Sequence, residues 1–516
     1  MLLSLDGSGP RYAQITRALC GLIQRGVLTP GARMPPTRDL ARDLGCSRNL
    51  VLLAYEQLVL EGYLIARQGG GTYVSPELPG RSPQSTSAGD SAPIVRLSRR
   101  GQLAVDTVAI ARPAMARRGG TIDFMYGLCE PDARAIKRMR NAFATAIRAR
   151  AFSYGPTVGD LDLRQQLADR LHAARGIVCT PAEIVVTNGF QQALDICSRL
   201  LLDPGDRVVV EDPGYPAAHA VFAAAGAEVI RVPVDEHGLD LDALPGDKVP
   251  VRAMYVTPSH QFPTGVVMPA ARRYALLAWA KRRGAFIIED DYDGEFRYTG
   301  RPIAALAALE PDTPVIYCGT FAKSLFPSLR LGYMKVPQGL AAAASSCKWL
   351  HDLSSSLILQ RMVGALMATG EYDRHVRRMQ RRYRVRRQTL LSALRRHLGD
   401  DAQVHGSAAG LHVAVWLPKL PVARVETLVE ACAQRGVAVY SIADHAARPL
   451  TRSGLLLAYG LLEPKQIEEG IRLLGAAYRE LISSTEPSPV RKESLAVKRH
   501  PSKMPSPKAR RTLDVR

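Results

Sequence analysis

Apolar residues recur at helical spacing near the start of the chain and predict three short helices. The first set is Tyr12, Ile15, Leu19, Leu22 and Ile23. A turn at residues 28–31 ends that helix, and Thr37, a residue type that favours N-cap positions, opens the second. After a break at Gly45, Ser47 is expected to cap a third helix that runs to about Gly62.

A glycine-rich hairpin is predicted directly after the third helix. Apolar residues at 63–66 and 72–74 flank a turn with three consecutive glycines, while Arg48 and Asn49 lie exposed in the first turn of the third helix. Two short helices joined by a glycine turn, followed by a hairpin, indicate a winged helix-turn-helix in residues 1–76. The alternative is a helical dimerisation module, in which the hairpin glycines and the exposed first turn have no role.

Two segments have the composition of unfolded chain. Residues 77–121 are rich in Pro, Ser, Gly and Ala with scattered arginines, which indicates a flexible linker. A short docking helix at about residues 101–115 is the alternative for its second half. Residues 485–516 are rich in Pro, Ser, Lys and Arg and are predicted to form a disordered basic tail.

Strands alternate with helices over residues 122–484, which is the pattern of an α/β domain with a mainly parallel central sheet. The predicted strands are residues 184–186, 208–211, 229–232, 253–256, 286–289 and 315–318. Most are apolar without alternation, as strands covered on both faces should be. A smaller α/β module follows residue 398, with strands at 412–416 and 455–458 around a helix at 425–435.

Composition and charge narrow the class of protein. The 516-residue chain is 47% hydrophobic and has a formal net charge of +20, which favours a large buried core and a polyanionic partner. Its eight cysteines have neither a CxxC pair nor metal-ligand spacing, so reduced thiols and no metal site are expected. No signal-peptide pattern and no apolar run of roughly 18 residues occurs, so we expect a cytoplasmic protein without a membrane partner.

The stretch GTFAKSLFPSLRLGY, residues 319–333, places one lysine, Lys323, after an apolar run and among hydroxyl groups and an arginine. A lysine that forms a Schiff base needs partial desolvation, and a phosphorylated aldehyde needs hydroxyl and guanidinium donors nearby. The stretch therefore predicts a lysine that binds pyridoxal 5'-phosphate (PLP).

Segments at the ends of four other predicted strands supply groups that a PLP site requires. Residues 187–192 open a helix whose first amides can hold a phosphate, and Tyr215 after the next strand can stack on a pyridine ring. Residues 255–265 supply further polar groups, and 289–293 supply a phenol and carboxylates that can keep the pyridine nitrogen protonated. Each signal is weak alone, but open parallel sheets gather ligands at their strand ends.

The string PPTRDLARDLGCSRNLVLLAYEQLVLEGYLIARQGGGTYVS resembles the winged helix-turn-helix of GntR-type bacterial regulators. The resemblance implies DNA contacts by Arg38 at the backbone or a base, by Ser47, Arg48 and Asn49 in the major groove, and by Gln68, Gly69 and Gly70 at the minor groove. Arginine can pair with guanine through two parallel hydrogen bonds, asparagine can pair with adenine, and glycines allow close approach to phosphates, so the physical chemistry agrees.

The strings VEDPGYP, YVTPSHQFPTG, IIEDDYDGEFRY and GTFAKSLFPSLRLGY resemble fold-type I aminotransferases, and more closely the MocR-type regulators, in which this domain is fused to a GntR-type winged helix. The resemblance implies that Lys323 forms the aldimine with PLP, Asp290 faces the pyridinium nitrogen, Tyr292 lies beside the ring hydroxyl and Tyr215 stacks on the ring. It implies that Gly189, Phe190, Gln191, Thr320 and Arg330 hold the phosphate. His260 is expected to line the site without a proton role, and a packed loop histidine is the alternative.

Two positions depart from the aminotransferase pattern. Ala322 stands where these enzymes usually carry a serine, and Leu456 stands where they carry the arginine that clamps the substrate carboxylate. Leucine cannot form that charge-assisted pair, so amino-acid binding and transamination should be weak unless Arg448 or Arg452 reaches in.

The favoured interpretation is a PLP-dependent transcriptional regulator whose aminotransferase-like domain senses PLP itself, as in PdxR-type regulators of vitamin B6 synthesis. The alternatives are a regulator that responds to an amino acid or amine at the PLP, an active aminotransferase that also binds DNA, and a structural DNA-binding protein with a degenerate pocket. The resemblance also implies a homodimer with operator DNA as its partner. The arginine-rich stretch 374–383 is either a second DNA-facing surface or a solvated helix face.

Overall fold

The computed structural model describes residues 3–78, 96–111, 122–149, 152–300, 303–310 and 312–483. The chain divides into two compact units, Met1–Arg96 and Leu97–Arg516. The predicted basic tail and most of the predicted linker lie outside the described residues.

The first unit has the predicted winged helix-turn-helix architecture. Its elements are α1 (Arg11–Gln24), α2 (Thr37–Asp43), α3 (Arg48–Leu60), β1 (Leu64–Arg67) and β2 (Gly71–Val74), and the two strands pair antiparallel. Its core includes Ile15, Leu19, Leu40, Val51 and Leu58. The apolar stripe of each helix therefore packs inward against the other two helices and the base of the hairpin.

Three details of this unit differ from the prediction. Thr37 is the first helical residue of α2, and Pro36 takes the N-cap. Ser47 does occupy the N-cap of α3, but its side chain makes no capping hydrogen bond. Tyr12 is 38% exposed, so the buried stripe of α1 begins at Ile15.

The second unit alternates helices with strands. Its helices are α4 (Arg99–Ala111), α5 (Ala133–Arg148), α6 (Leu161–Arg175), α7 (Phe190–Leu201), α8 (Pro216–Ala224), α9 (Ala270–Arg283), α10 (Leu306–Leu309), α11 (Ala341–Asp352), α12 (Leu357–Ala368), α13 (Glu371–Leu398), α14 (Val425–Gln434) and α15 (Pro464–Ser483). Its strands are β3 (Ile122–Asp123), β4 (Ile184–Thr187), β5 (Arg207–Asp212), β6 (Glu228–Asp235), β7 (Gly238–Leu239), β8 (Ala253–Val256), β9 (Phe286–Asp291), β10 (Val315–Thr320), β11 (Gly332–Lys335), β12 (Gln403–His405), β13 (His412–Trp416), β14 (Val437–Ala438), β15 (Tyr440–Ser441) and β16 (Gly454–Ala458).

The central sheet has eight strands in the order β4-β11-β10-β9-β8-β5-β6-β7. Strands β10, β9, β8, β5 and β6 run parallel, whereas β11 is antiparallel to both β10 and β4. Strand β4 therefore points in the same direction as the parallel strands, and their carboxyl ends share one sheet edge. All six predicted strands are present; β8 has the predicted bounds, and the other five are longer than predicted.

Both faces of this sheet are covered, which explains the continuous apolar runs. Val208 and Val210 of β5 pack in a cluster with residues of α7 and α8, while Val209 packs in another cluster with residues of α9. A smaller antiparallel sheet, β12-β13-β16-β15, follows with α14 and α15 and contains both strands predicted for this module.

Residues Arg99–Ala111 are helical, which is the alternative that their composition left open. This helix, α4, packs against α8 within the second unit. None of the helices that the structure describes has the length and apolar character needed to span a lipid bilayer.

Candidate cofactor and DNA sites

The residues predicted to bind the cofactor lie where the parallel strands end. Gly189 follows β4, Tyr215 follows β5, His260 follows β8, Asp290 and Tyr292 stand at the end of β9, and Lys323 follows β10. Because these strands end at one sheet edge, the fold brings together segments that are far apart in the sequence.

Lys323 is half-buried, and its Nζ donates a hydrogen bond to the backbone carbonyl of Gly127 at 2.8 Å. Burial lowers the pKa of Lys323, although a neighbouring thiol and two carboxyl groups act in the opposite direction. A lower pKa makes more of the neutral amine available as a nucleophile. Gly127 has a φ of +82°, and a Cβ there would lie 3.3 Å from Nζ, so a side chain would crowd the lysine.

Asp290 is a buried carboxyl group with one unused oxygen. Its Oδ2 accepts a hydrogen bond from the Tyr255 hydroxyl at 2.7 Å, whereas its Oδ1 has no hydrogen-bond partner among the described residues. Burial raises the pKa of Asp290 well above its ordinary value because the carboxylate is poorly solvated. A pyridinium N–H aimed at Oδ1 would satisfy this oxygen, so the residue fits the ring nitrogen of PLP.

The predicted phosphate-binding residues surround the N-terminus of α7. Gly189 is the N-cap with a φ of +79°, and the Arg330 guanidinium lies 3.1 Å from the position that a Cβ at Gly189 would take. Arg330 donates to the Asn188 carbonyl at 3.1 Å. The Thr320 hydroxyl accepts from a backbone amide at 3.1 Å, which leaves its hydrogen free to donate. A helix N-terminus, a guanidinium and a hydroxyl thus converge, as a phosphate site requires.

Aromatic rings enclose the same space. Tyr215 is the half-buried N-cap residue of α8, and its ring centroid lies 6.2 Å from Phe190 and 5.9 Å from Phe262. Burial raises the pKa of Tyr215 to about 12, so its phenol stays neutral and its ring can stack on a heterocycle. Phe190 and the exposed Gln191 are the first two residues of α7 and carry two of its free amides.

Tyr292 and His260, both predicted to lie at the site, are in contact. The Tyr292 hydroxyl lies 3.1 Å from Nδ1 of His260, which is buried behind it. The two ring nitrogens of His260 contact Asp293 and the Gly406 carbonyl as well, at 2.9 and 3.1 Å. His260 therefore makes its polar contacts with protein groups.

Leu456 presents an apolar wall where an aminotransferase has its carboxylate clamp. It is fully buried in β16 and packs in one cluster with Phe262 and Trp416, against which Tyr215 and Tyr292 also pack. The exposed Arg448 donates to the Arg231 carbonyl at 3.4 Å, and the exposed Arg452 lies over the Trp416 ring at 4.7 Å. Neither of these guanidinium groups pairs with a carboxylate of the described residues.

The predicted DNA contacts lie on the surface of the first unit. Arg38, Ser47, Arg48, Asn49, Gln68 and Gly69 are exposed, and Gly70 is half-buried. Arg48 donates to the Thr37 hydroxyl at 3.2 Å, which fixes its stem at the junction of α2 and α3. The tip of the hairpin carries Gly69 with a φ of +74°, a backbone conformation that favours glycine.

Comparison with known proteins agrees with the division of the chain into a winged-helix unit and an aminotransferase-like unit. The model for bacterial regulatory proteins of the gntR family matches residues 11–74, and the model for aminotransferase class I and II matches residues 122–453. The chain is 34% identical, over 94% of its length, to the probable rhizopine catabolism regulatory protein MocR of Rhizobium meliloti, of which it covers 97%. The chain belongs to the MocR-type regulators.

Another MocR-type relative is the pyridoxine biosynthesis transcriptional regulator PdxR of Corynebacterium glutamicum, with 34% identity over 87% of this chain and 91% of that protein. Among solved structures, the α-aminoadipate aminotransferase LysN of Thermus thermophilus, complexed with N-(5'-phosphopyridoxyl)-L-leucine, has 31% identity and a TM-score of 0.65. The alignment covers 73% of this chain and 98% of that one. The fold-type I prediction and the MocR-type resemblance are therefore confirmed.

The arginines of α13 mostly serve the fold of this MocR-type unit. Arg374 pairs with Glu371, Arg378 with Asp132, and Arg382 with Glu463. These ion pairs neutralise three of the arginines of the stretch 374–383. For these three arginines, a solvated helix face is therefore favoured over a second DNA-facing surface.

A buried network beneath the predicted phosphate-binding residues gave no signal in the sequence. Lys348 of α11 is fully buried, and its Nζ contacts both carboxylate oxygens of Asp352 at 2.6 Å, the Gln192 side chain at 2.9 Å and the Ser355 hydroxyl at 2.8 Å. Asp352 in turn accepts from the Asn188 amide at 2.6 Å. The network thus supports the turn that leads into α7.

Proposed function

We propose that this chain is a PLP-dependent transcriptional regulator of the cytoplasm, in which the aminotransferase-like unit senses PLP and the winged helix binds operator DNA. The observation that carries the proposal is the convergence of Lys323, the free Oδ1 of Asp290 and the anion-binding N-terminus of α7 at one sheet edge. When bound, PLP would supply a reactive aldehyde, and the Lys323 amine is the group that would hold it.

The wall around Leu456 supports a sensor over an enzyme. A substrate carboxylate placed against Leu456 would lose its hydration and gain no cation in return, which costs several kcal/mol. We therefore propose PLP itself as the effector, with control of vitamin B6 metabolism as the corresponding role. Response to an amino acid or amine, and residual aminotransferase activity, are the outcomes that contradict this assignment.

The packing of α4 supports a route from the cofactor to the linker. Tyr215, the proposed stacking ring, is the N-cap of α8, and α8 packs against α4. Stacking on Tyr215 would bias the position of α8 and thereby the docking of α4, from which the chain leads back to the DNA-binding unit. Such a switch works only if PLP binds the two states with different affinity.

Exposed apolar side chains support a homodimer. Trp349 and Leu350 at the end of α11 are 55% and 76% exposed, and Phe152 and Tyr154 are 72% and 86% exposed. The segment with Phe152 and Tyr154 lies near α12, since a Cβ at Gly155 would lie 3.3 Å from Leu357. Contiguous exposed apolar surface usually marks a protein interface, so we propose these two pairs of side chains as part of the dimer surface.

Selection of DNA from a random library, with and without PLP, tests the proposed function. We expect one operator sequence whose affinity changes with PLP and does not change further when amino acids or amines are added. Sedimentation of the same samples should give a dimer. DNA affinity that is independent of PLP, or a lasting change of the bound-PLP spectrum on adding an amino acid, would contradict the proposal.

Replacing Arg48 by alanine should weaken binding to the selected operator by about 1–3 kcal/mol and relax the preference at one base pair. The exposed guanidinium at the start of α3 is the group that would reach a base edge. The matched control is Arg25→Ala, which removes the same charge at the end of α1 and should change affinity little. Fluorescence anisotropy at fixed salt measures both, and equal losses would show a charge effect without base recognition.

A further inference from the structure

Three polar side chains, those of Tyr292, His260 and Asp293, are in contact at the predicted cofactor site. The Tyr292 hydroxyl is 3.1 Å from Nδ1 of His260, and Oδ2 of Asp293 is 2.9 Å from the same nitrogen. The other ring nitrogen, Nε2, is 3.1 Å from the Gly406 carbonyl. His260 and Asp293 are 2% and 3% exposed, so water does not compete for these contacts.

The partners of His260 restrict where its protons can be. A carbonyl oxygen only accepts, so Nε2 must carry a hydrogen that points at Gly406. If Nδ1 is bare, it can accept the Tyr292 hydrogen, but its lone pair then faces the Asp293 carboxylate at 2.9 Å. If Nδ1 also carries a hydrogen, it donates to Asp293, and the Tyr292 oxygen can only act as a second acceptor.

Charge decides between these two states. Burial opposes the charged ring, but the Asp293 carboxylate and the Gly406 carbonyl outweigh it and raise the pKa of His260. The charged state also removes the lone-pair repulsion between Nδ1 and Asp293. Gly410 fixes the arrangement, because a Cβ there would lie 2.2 Å from the His260 ring and 2.4 Å from Oδ2 of Asp293.

We propose that His260 and Asp293 form a buried ion pair that turns the hydroxyl hydrogen of Tyr292 away from His260 and towards the ring oxygen of the cofactor. Both residues are positioning residues, since they act through Tyr292. The inference rests on the proposed PLP site, and it explains why a histidine in this loop is buried with every nitrogen engaged.

Other titratable groups surround the side chains of Tyr292, His260 and Asp293. They are the carboxyl groups of Asp290, Asp291 and Glu211, the Arg297 guanidinium, the Lys323 amine and the imidazole of His412. The His412 ring is nearly parallel to the Tyr292 ring, with centroids 6.5 Å apart. Burial lowers the pKa of His412 well below its ordinary value, so this second imidazole is neutral.

The test is a pH titration of the visible absorbance of bound PLP in Asp293→Asn, Tyr292→Phe and the double variant. In Asp293→Asn, we expect His260 to become neutral and to draw the Tyr292 hydrogen away from the cofactor. The midpoint of the absorbance titration should therefore rise by about one pH unit. Tyr292→Phe should raise it similarly, and the double variant should show no further rise. If the Asp293 charge instead acts directly on the cofactor, its loss should lower the midpoint or leave it unchanged.

A matched control is Glu468→Gln, which removes the carboxylate from another histidine pair, with His397 at 3.1 Å, between α13 and α15. Its midpoint should equal that of the unaltered chain. A fall or no change of the midpoint in Asp293→Asn would overturn the inference, and so would a further rise in the double variant relative to Tyr292→Phe. If Asp293→Asn does not fold, His260→Asn replaces it, with the same expected rise and the same dependence on Tyr292.

A second readout needs no cofactor. Nitrogen NMR of the PLP-free chain, with His260 assigned through His260→Gln, should show both ring nitrogens protonated at neutral pH and only one in Asp293→Asn. A neutral His260 in the unaltered chain would overturn the inference even if PLP binds normally. Failure of the proposed function would appear separately, as DNA affinity that ignores PLP.

Discussion

Lys323→Ala should abolish covalent uptake of PLP and make DNA affinity insensitive to PLP. The variant lacks the amine that lies 2.8 Å from the Gly127 carbonyl at the centre of the site. A ligand at 100 times its Kd stabilises the folded state by about 2.7 kcal/mol, and this gain in the free energy of unfolding should be lost as well. Visible absorbance after dialysis, thermal unfolding with and without PLP, and DNA binding measure the three effects.

The matched control is Lys419→Ala. Lys419 is 67% exposed and pairs with Asp401 at the surface, so its removal should leave PLP uptake unchanged. A Lys323→Ala protein that keeps dialysis-resistant PLP would show that another lysine holds the cofactor. If it loses PLP but its DNA affinity matches that of the PLP-bound chain, the cofactor is not the effector.

Lys348→Met should lower the free energy of unfolding by about 3 kcal/mol. The ammonium is fully buried among Asp352, Gln192 and Ser355, and its loss leaves a largely buried carboxylate without a partner. PLP affinity should also fall, because Asp352 and Gln192 hold the Asn188 turn beside the phosphate-binding residues. Urea unfolding and PLP titration measure these two effects.

Two further variants separate the buried pair from an ordinary lysine effect. Lys281→Met removes a surface lysine that pairs with Asp312 at 3.2 Å, and it should cost about 0–1 kcal/mol. Lys348→Met combined with Asp352→Leu removes both charges and should recover part of the lost stability. If Lys348→Met alone is as stable as Lys281→Met, the Asp352 carboxylate does not need Lys348 as a partner.

The sequence indicated candidate cofactor residues but did not indicate all of their hydrogen-bond partners. Asp290 and Lys323 follow apolar strands, and the parallel order of those strands places them at one sheet edge. Tyr255, which donates to Asp290, was predicted only as part of the polar segment 255–265, and Gly127, which accepts from Lys323, was missed. Gly127 and Lys323 are 196 positions apart, and such a contact leaves no local pattern in a single sequence.

His260 shows the same limit in another form. Its motif marked it as part of the site, but the role of an imidazole depends on which groups face its two nitrogens. Those groups come from two segments distant from His260 in the sequence, one with Tyr292 and Asp293 and the other with Gly406. Only the folded chain shows that they meet, so a proton role could not be assigned from the sequence.

The sequence by itself determined the two-part architecture, the strand ends that carry Lys323 and Asp290, and the leucine at position 456, where the resemblance implies a carboxylate-binding arginine. These features follow from local apolar periodicity and short motifs, which depend on neighbouring residues. The tertiary structure alone decided the contacts of Arg448 and Arg452, the support that the Lys348 network gives to the Asn188 turn, and the packing of α4 on α8. These features depend on burial and on contacts between distant segments, which only the packed fold defines.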